Sequence, residues 1–239
     1  MDTLKTCYEN ETVEGLQFYL EHTNEHSAIL QCVQDVLTGE FQRFKKRVQH
    51  CSLSNYTKFT IPFTWHIMKS EDYMKQVQAK GNMKKFDFIH MIQMIYYVDN
   101  LTNTIKFYHS LLKDNGRLMI IVEMSNSGWT TLWNTYKEEL VDNVKDYNSE
   151  MVTASLKSLG LKYEEHVITN SFDITECFNP SSQTGKRVLN FLTERENFYE
   201  SFTPDIRADM LDLLRNKCSI EKDGKIVFNS NLSCLLVHA

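Results

Sequence analysis

Four places in the sequence carry side chains whose type and spacing can do chemistry. Gln93 lies near the carboxyl end of the run 86–95, FDFIHMIQMI, ahead of Tyr96 and Tyr97. A glutamine amide both donates and accepts hydrogen bonds, and ligands of open α/β sheets bind at the carboxyl ends of strands. Gln93 therefore either orients a ligand or is a satisfied buried glutamine. Trp129 and Trp133 stand four apart, on one face of a helix. With the two tyrosines they either line an amphipathic pocket or fill the core. Glu25 beside His26, within the polar stretch HTNEHS at 22–27, either binds a cation or is solvated surface. The run Lys45, Lys46, Arg47 is either a phosphate patch or the wet face of a helix.

Other chemistries are excluded. No serine sits in a G-x-S-x-G elbow and the eight histidines are scattered, so no nucleophile triad can be drawn. Six cysteines, at 7, 32, 51, 177, 218 and 234, form no C-x-x-C pair and no zinc-finger spacing with histidine. They read as reduced thiols in a cytosolic protein, several of them buried as small hydrophobes. The eight glycines, at 15, 39, 81, 116, 128, 160, 185 and 224, come no closer than twelve apart. A phosphate-cradling loop needs glycines two to five apart, because the backbone must turn sharply against its ligand. The chain has no ordinary P-loop or dinucleotide fingerprint.

The elements that must position these residues follow from periodicity. Residues 12–37 read as helical with a break at 22–27. Residues 40–58 read as a basic, irregular stretch. Lys58–His66 is rich in β-branched and aromatic residues and predicts a strand, with Pro62 placing it near an edge. Lys69–Asn82 predicts a polar helix ending near Gly81, and Phe86–Ile95 a buried strand. Leu101–Lys113 predicts an amphipathic helix closed by Asn115–Gly116. Arg117–Val122 is a near-continuous apolar strand, as expected where both faces of a sheet are covered. Strand, helix and strand make a βαβ unit. Helices are predicted over Ser127–Lys137, Glu150–Leu159 and Lys186–Glu194, with a further start at Thr203–Pro204. Leu161–Ile168 and Leu232–His238 read as strands, and Lys222–Asp223–Gly224 as a hairpin turn. The class is α/β, with a mostly parallel sheet ending in antiparallel strands.

The 239 residues are 42% hydrophobic and 24% charged, with a net charge of −5. That composition supports one large domain or two small ones and excludes wholesale disorder. The acidic balance disfavours a nucleic-acid partner, which needs a positive surplus. The most apolar run, Leu118–Val122, is far too short to span a bilayer, and no secretion signal is read at the start.

Several longer segments resemble one family. KKFDFIHMIQMIYYVDN (84–100), FYHSLLKDNGRLMIIV (107–122), SGWTTLW (127–133), LGLKYE (159–164), NFLTERENF (190–198) and GKIVFNSNLS (224–233) are similar to the histamine N-methyltransferases. The resemblance covers most of 18–37 and essentially all of 63–239. It implies a truncated class I, Rossmann-like methyltransferase fold with S-adenosylmethionine as cofactor. It implies methylation of an imidazole ring nitrogen in histamine or a related small imidazole amine, by a cytoplasmic monomer, with no metal. Carried over by position, Glu25 and Gln93 match substrate-site residues, and Ser70 and Ile92 match residues touching the cofactor. Tyr96, Tyr97, Trp129, Trp133 and Phe191 match aromatics around the substrate.

The chain also departs from the family. Ser230, flanked by Asn229 and Asn231, stands where the family has a substrate-site Asn. Thr12 and Leu16 stand at aromatic positions, and the family's pocket cysteine falls near Lys145. These departures fall at substrate positions, and related enzymes methylate other imidazoles, such as carnosine-type dipeptides. Between Leu37 and Phe44 nothing corresponds to the family's first strand, G-G-G-x-G-E loop, helix and second strand. A βαβ unit with its flanks, on the order of fifty residues, is missing. The expectation is a single methyltransferase-like domain over 1–239 with an internal deletion near 38–44. It is either active on a small imidazole or a catalytically impaired, truncated relative.

Overall fold

The computed structural model describes residues 17–48, 66–81, 83–140 and 145–239, with the side chains of 40–48 outside the description. The chain opens with a helical turn, α1 (17–22), breaks at Thr23–Asn24, and resumes as α2 (Glu25–Val48). The break is local: the Thr23 hydroxyl accepts from the Glu25 N–H at 3.3 Å, so Glu25 becomes the first residue of the new helix. The expected irregular stretch from residue 40 is thus helical backbone as far as Val48, because the charges of KKR do not interrupt helix propensity. The predicted strand Lys58–His66 lies outside the described residues except for His66, which is not in a strand.

Helix α3 (Ser70–Lys80) is closed by Gly81 at φ 65°. It leads to β1 (Phe86–Ile92), a 3₁₀ turn (Ile95–Tyr97), α4 (Leu101–Ser110) and β2 (Leu112–Glu123). Strands β1 and β2 pair in parallel, with Ile92 opposite Ile121, so the βαβ reading holds. Two boundaries moved. Helix α4 stops at Ser110 and Leu112 already pairs with Phe86, while Asn115, at φ 68°, sits where the register shifts. Strand β1 ends at Ile92 rather than Ile95, and only Met91 in it is buried. Among the described residues β1 pairs with β2 alone, which makes it an edge strand and leaves it half-exposed.

The remaining elements are α5 (Gly128–Thr135), α6 (Ser149–Ser158), β3 (Tyr163–Ile168), β4 (Ser171–Asp173), a 3₁₀ turn (Thr175–Phe178), α7 (Gln183–Thr193), α8 (Phe198–Ser201), α9 (Pro204–Asn216), β5 (Ser219–Lys222), β6 (Lys225–Asn229) and β7 (Leu232–His238). Cap residues place the helix starts. Asn100, Ser127, Asn148, Ser182 and Thr203 each accept from a backbone N–H of the first turn, which satisfies donors the helix itself cannot.

The main sheet has the order β1-β2-β7-β3, with β7 antiparallel to both neighbours. β1, β2 and β3 therefore share one direction and only β7 opposes them, the mixed α/β sheet that was expected. Alternation along β2 sends Leu118, Ile120 and Val122 to one face, under α4 and α6, and Met119 and Ile121 to the other, under α2. All five are fully buried, and each buried side chain of this kind contributes about 1.5–3 kcal/mol. A second sheet, β4-β6-β5, packs with α5, α7 and α9 into a separate cluster that includes Phe172, Phe198 and Phe228. The four described cysteines are free, three of them buried.

Candidate functional site

The carboxyl ends of the three co-directional strands each deliver one polar side chain to the same place. Gln93 follows β1, Glu123 ends β2 and Asn170 follows β3. Gln93 turns away from the strand at φ 49°, a left-handed conformation that disfavours a non-glycine residue. Its backbone N–H still donates to the Ile121 carbonyl at 3.0 Å. Strain of this kind concentrates at working positions, and here it swings the amide over the strand ends.

The Gln93 amide is a bridge. Nε2 donates to Glu25 Oε1 at 3.4 Å and to Glu123 Oε1 at 3.3 Å, while Oε1 accepts from the Tyr96 hydroxyl at 2.9 Å. The Tyr96 hydroxyl in turn accepts from the Glu123 backbone N–H at 2.8 Å. On the other side, Glu25 Oε2 accepts from the Tyr19 hydroxyl at 2.5 Å and from Asn170 Nδ2 at 3.3 Å. Glu25 is 7% exposed, so the solvated reading of this residue is overturned. The first turn of α2 carries it inward, where it meets Gln93.

Burial dominates the electrostatics. It holds the Glu123 carboxyl well above its ordinary value of 4.5, with the nearby Glu25 adding to the shift and the Gln93 and Ser127 side chains opposing it. Burial first, then Glu25, raises Tyr19, and burial, then Glu123, raises Tyr96. Both phenols stay protonated donors at neutral pH. At and beside this cluster, Glu123 Oε2, Asn170 Oδ1 and Ser230 Oγ are buried without a hydrogen-bond partner among the described residues. Unpartnered atoms in a buried cluster cost free energy, and an incoming polar ligand relieves that cost.

Aromatic rings wall the cluster. Tyr19 stacks on Phe191 at 4.9 Å and meets Phe172 and Trp129 edge-on at 5.1 and 6.0 Å. Trp129 also meets Phe191 at 5.5 Å. Trp133 is engaged as a core residue, its indole N–H donating to the Leu192 carbonyl at 3.2 Å. Tyr97 points outward, 65% exposed.

The other sequence candidates are arranged as follows. Ser230 is fully buried, and its backbone N–H donates to the Asn170 carbonyl at 3.2 Å, so it lies one residue away from the cluster. Ser70 begins α3 and its hydroxyl pairs with that of Tyr108 on α4 at 3.1 Å. Ile92 packs against the apolar face under α2. No hydrogen bond among the described residues joins Ser70 to the Glu25–Gln93 cluster. Glu123 and Asn170 were missed by the sequence reading. Their signal was available, since both lie at the carboxyl ends of predicted strands, where only Gln93 was sought. Among the described residues no group of three His, Cys, Asp or Glu side chains is placed to hold a metal ion, and no helix is long and apolar enough to cross a membrane.

Residues 38–166 match a family described as a methyltransferase domain. Carnosine N-methyltransferase 2 of Gallus gallus is 40% identical over 182 residues, covering 75% of this chain and 56% of that protein. Histamine N-methyltransferase A of Xenopus laevis is 40% identical over 200 residues, 82% of this chain and 67% of that protein. Histamine N-methyltransferase of Bos taurus is 38% identical over 182 residues, 75% and 62%. The chain thus spans between 56% and 67% of the length of these relatives.

Proposed function

The chain belongs to the histamine N-methyltransferase family of S-adenosylmethionine-dependent methyltransferases, and from that premise we propose that it holds histamine or a related small imidazole amine for methylation at a ring nitrogen. The observation that supports this most is the Glu25–Gln93 contact inside an aromatic enclosure. A carboxyl group accepts the N–H of an imidazole or ammonium, the rings cover its apolar faces, and an amide fixes its orientation. Catalysis of this kind rests on holding the acceptor nitrogen in one pose. Glu25 and Gln93 supply the pose, with Ser230 beside them, and Tyr19 and Asn170 hold Glu25 in place. The same reading takes residues 1–239 as a single unit with an internal deletion near 38–44, acting as a cytoplasmic monomer on a small molecule, with no nucleic acid and no membrane as partner.

S-adenosylmethionine is the methyl donor of this family, and Ser70 and Ile92 are the positions carried over as its contacts. The described residues do not form a cradle for it. A cofactor turn needs a glycine with open space at a strand-to-helix junction. The glycine at the junction of β2 and α5, Gly128, has the Phe228 ring 2.7 Å from where a Cβ would stand. Gly81 and Gly160, with open space and positive φ, close helices, and Gly224 sits in a hairpin. No step is therefore derived through the cofactor. This specific disagreement favours a second reading, a relative that keeps the substrate site and is impaired in cofactor binding and turnover.

A binding titration and a turnover assay test these readings. Histamine binding followed by ligand-observed NMR should be present in the wild type and lost in Glu25→Gln. Equal binding in both overturns the site. Product formation with S-adenosylmethionine, at a rate comparable to a complete relative, sinks the impaired reading and leaves the first.

A further inference from the structure

Glu123 has features that the substrate reading above leaves unused. It is a carboxyl at the carboxyl end of a central strand, it shares one amide nitrogen with Glu25, and one of its oxygens is buried without a partner. Independently, Asn170 is 1% exposed and aimed at the same place. Its Nδ2 donates to Glu25 and to the Tyr19 hydroxyl, and its Oδ1 meets nothing. Among the described residues these two buried oxygens accept no hydrogen bond within the ordinary distance. Among the described residues no Lys, Arg or His forms an ion pair with either carboxyl. A buried acid pair without a cation is costly unless one carboxyl keeps a proton or a ligand brings positive charge.

We infer that Glu123 is a second substrate-contacting acid, a specificity-determining residue that with Asn170 receives the ammonium end of an imidazole amine and rejects ligands carrying a carboxylate. The inference rests on the imidazole-amine reading of the Glu25–Gln93 site. The Gln93 amide, with both its long bonds at 3.3–3.4 Å, is the hinge between the two acids. An N–H donor on either side replaces a weak contact with a shorter, charge-assisted one. A ligand carboxylate would instead meet two carboxyl groups at low dielectric, with no ion-paired cation beside them among the described residues.

The proton balance is simple. The groups facing Glu123 are Glu25 from α2, Tyr96 from the 3₁₀ turn and Tyr19 from α1. Burial and the neighbouring Glu25 shift the Glu123 carboxyl toward its protonated form. When an ammonium arrives, the Glu123 O–H bond breaks and the proton passes to solvent. The freed carboxylate accepts an N–H from the ligand, which keeps its own charge.

The test uses the full chain and three probes: histamine, histidine and 4-methylimidazole. Histidine adds only a carboxylate to histamine, and 4-methylimidazole lacks the ammonium. Wild type should bind histamine at least ~10-fold more tightly than either, the scale of one hydrogen bond to a charged group. Calorimetry in two buffers of different ionisation heat should show release of about one proton per histamine bound. In Glu123→Gln, histamine should weaken ~10-fold, 4-methylimidazole should change less than ~3-fold, and the proton release should vanish. A merely structural role for Glu123 does not move the proton count. If wild type binds histamine and histidine alike, the inference fails while the substrate site stands. The same holds if Glu123→Gln keeps both the histidine discrimination and the proton release. If wild type binds none of the probes, the imidazole-amine reading itself fails and takes the inference with it.

Discussion

Gln93 spans two acids 68 and 30 residues away in sequence, and its left-handed φ of 49° sets where that span falls. Replacing it with alanine removes both bridging contacts and should weaken imidazole-ligand binding. Hydrogen bonds to charged groups contribute about 1.5–3 kcal/mol, so a loss of roughly tenfold or more in affinity by NMR titration is expected. Unchanged binding would show that Gln93 is a core glutamine. Glu123 makes the site sensitive to pH through stability. Its folded value lies well above its ordinary 4.5, so between those two values the folded state holds more protons than the unfolded one. Stability then falls as pH rises through the folded value and is regained on acidification. Thermal melting of the wild type should therefore rise as pH is lowered from 8 toward 5, and Glu123→Gln should flatten that slope. The residue scale is also where the sequence was hardest to read. Gln93 was legible because a polar side chain ended an apolar run. Glu25 looked solvated, since HTNEHS is polar throughout and only the turn at Thr23 carries the carboxyl inward. Asn170 was legible only as a polar residue after a predicted strand; its contact to Glu25 crosses 145 residues, and no local pattern encodes such a meeting.

At the scale of elements, the caps made most helix boundaries legible, and β1 shows why the rest were not. Its apolar run promised a strand buried on both sides, but burial depends on what pairs with it, and among the described residues that is β2 alone. The hydrophobic pattern records which faces prefer to be covered, not which neighbour covers them. Close packing gives a sharper test at Gly185, in the first turn of α7. A Cβ there would collide with the Glu176 carbonyl oxygen and carbon. Both are backbone atoms that cannot step aside cheaply. Gly185→Ala should destabilise the fold by about 2–3 kcal/mol, read as a shifted denaturant midpoint with an unchanged slope. A neutral result would mean that α7 rides free of the 3₁₀ turn at Thr175–Phe178.

For the molecule as a whole, the two halves of the expected reaction stand unequally. The buried polar cluster is assembled from three strand ends and the starts of two helices, while eight glycines, none closer than twelve residues to the next, leave no cofactor loop in the sequence. Several backbone and ribose contacts of roughly 1 kcal/mol each are then absent, and S-adenosylmethionine should bind at least ~100-fold more weakly than to a complete relative. Micromolar binding by calorimetry would refute this. The sheet order carries a consequence of another kind. β7 is made last of all the strands, yet it lies between β2 and β3 and pairs with both. On the ribosome, at roughly 5–20 residues per second, β2 emerges several seconds before residues 232–238 exist to pair with it. Until then the edge of β2 that β7 will cover has no partner among the described strands, and an unpaired strand edge invites misassembly with other chains.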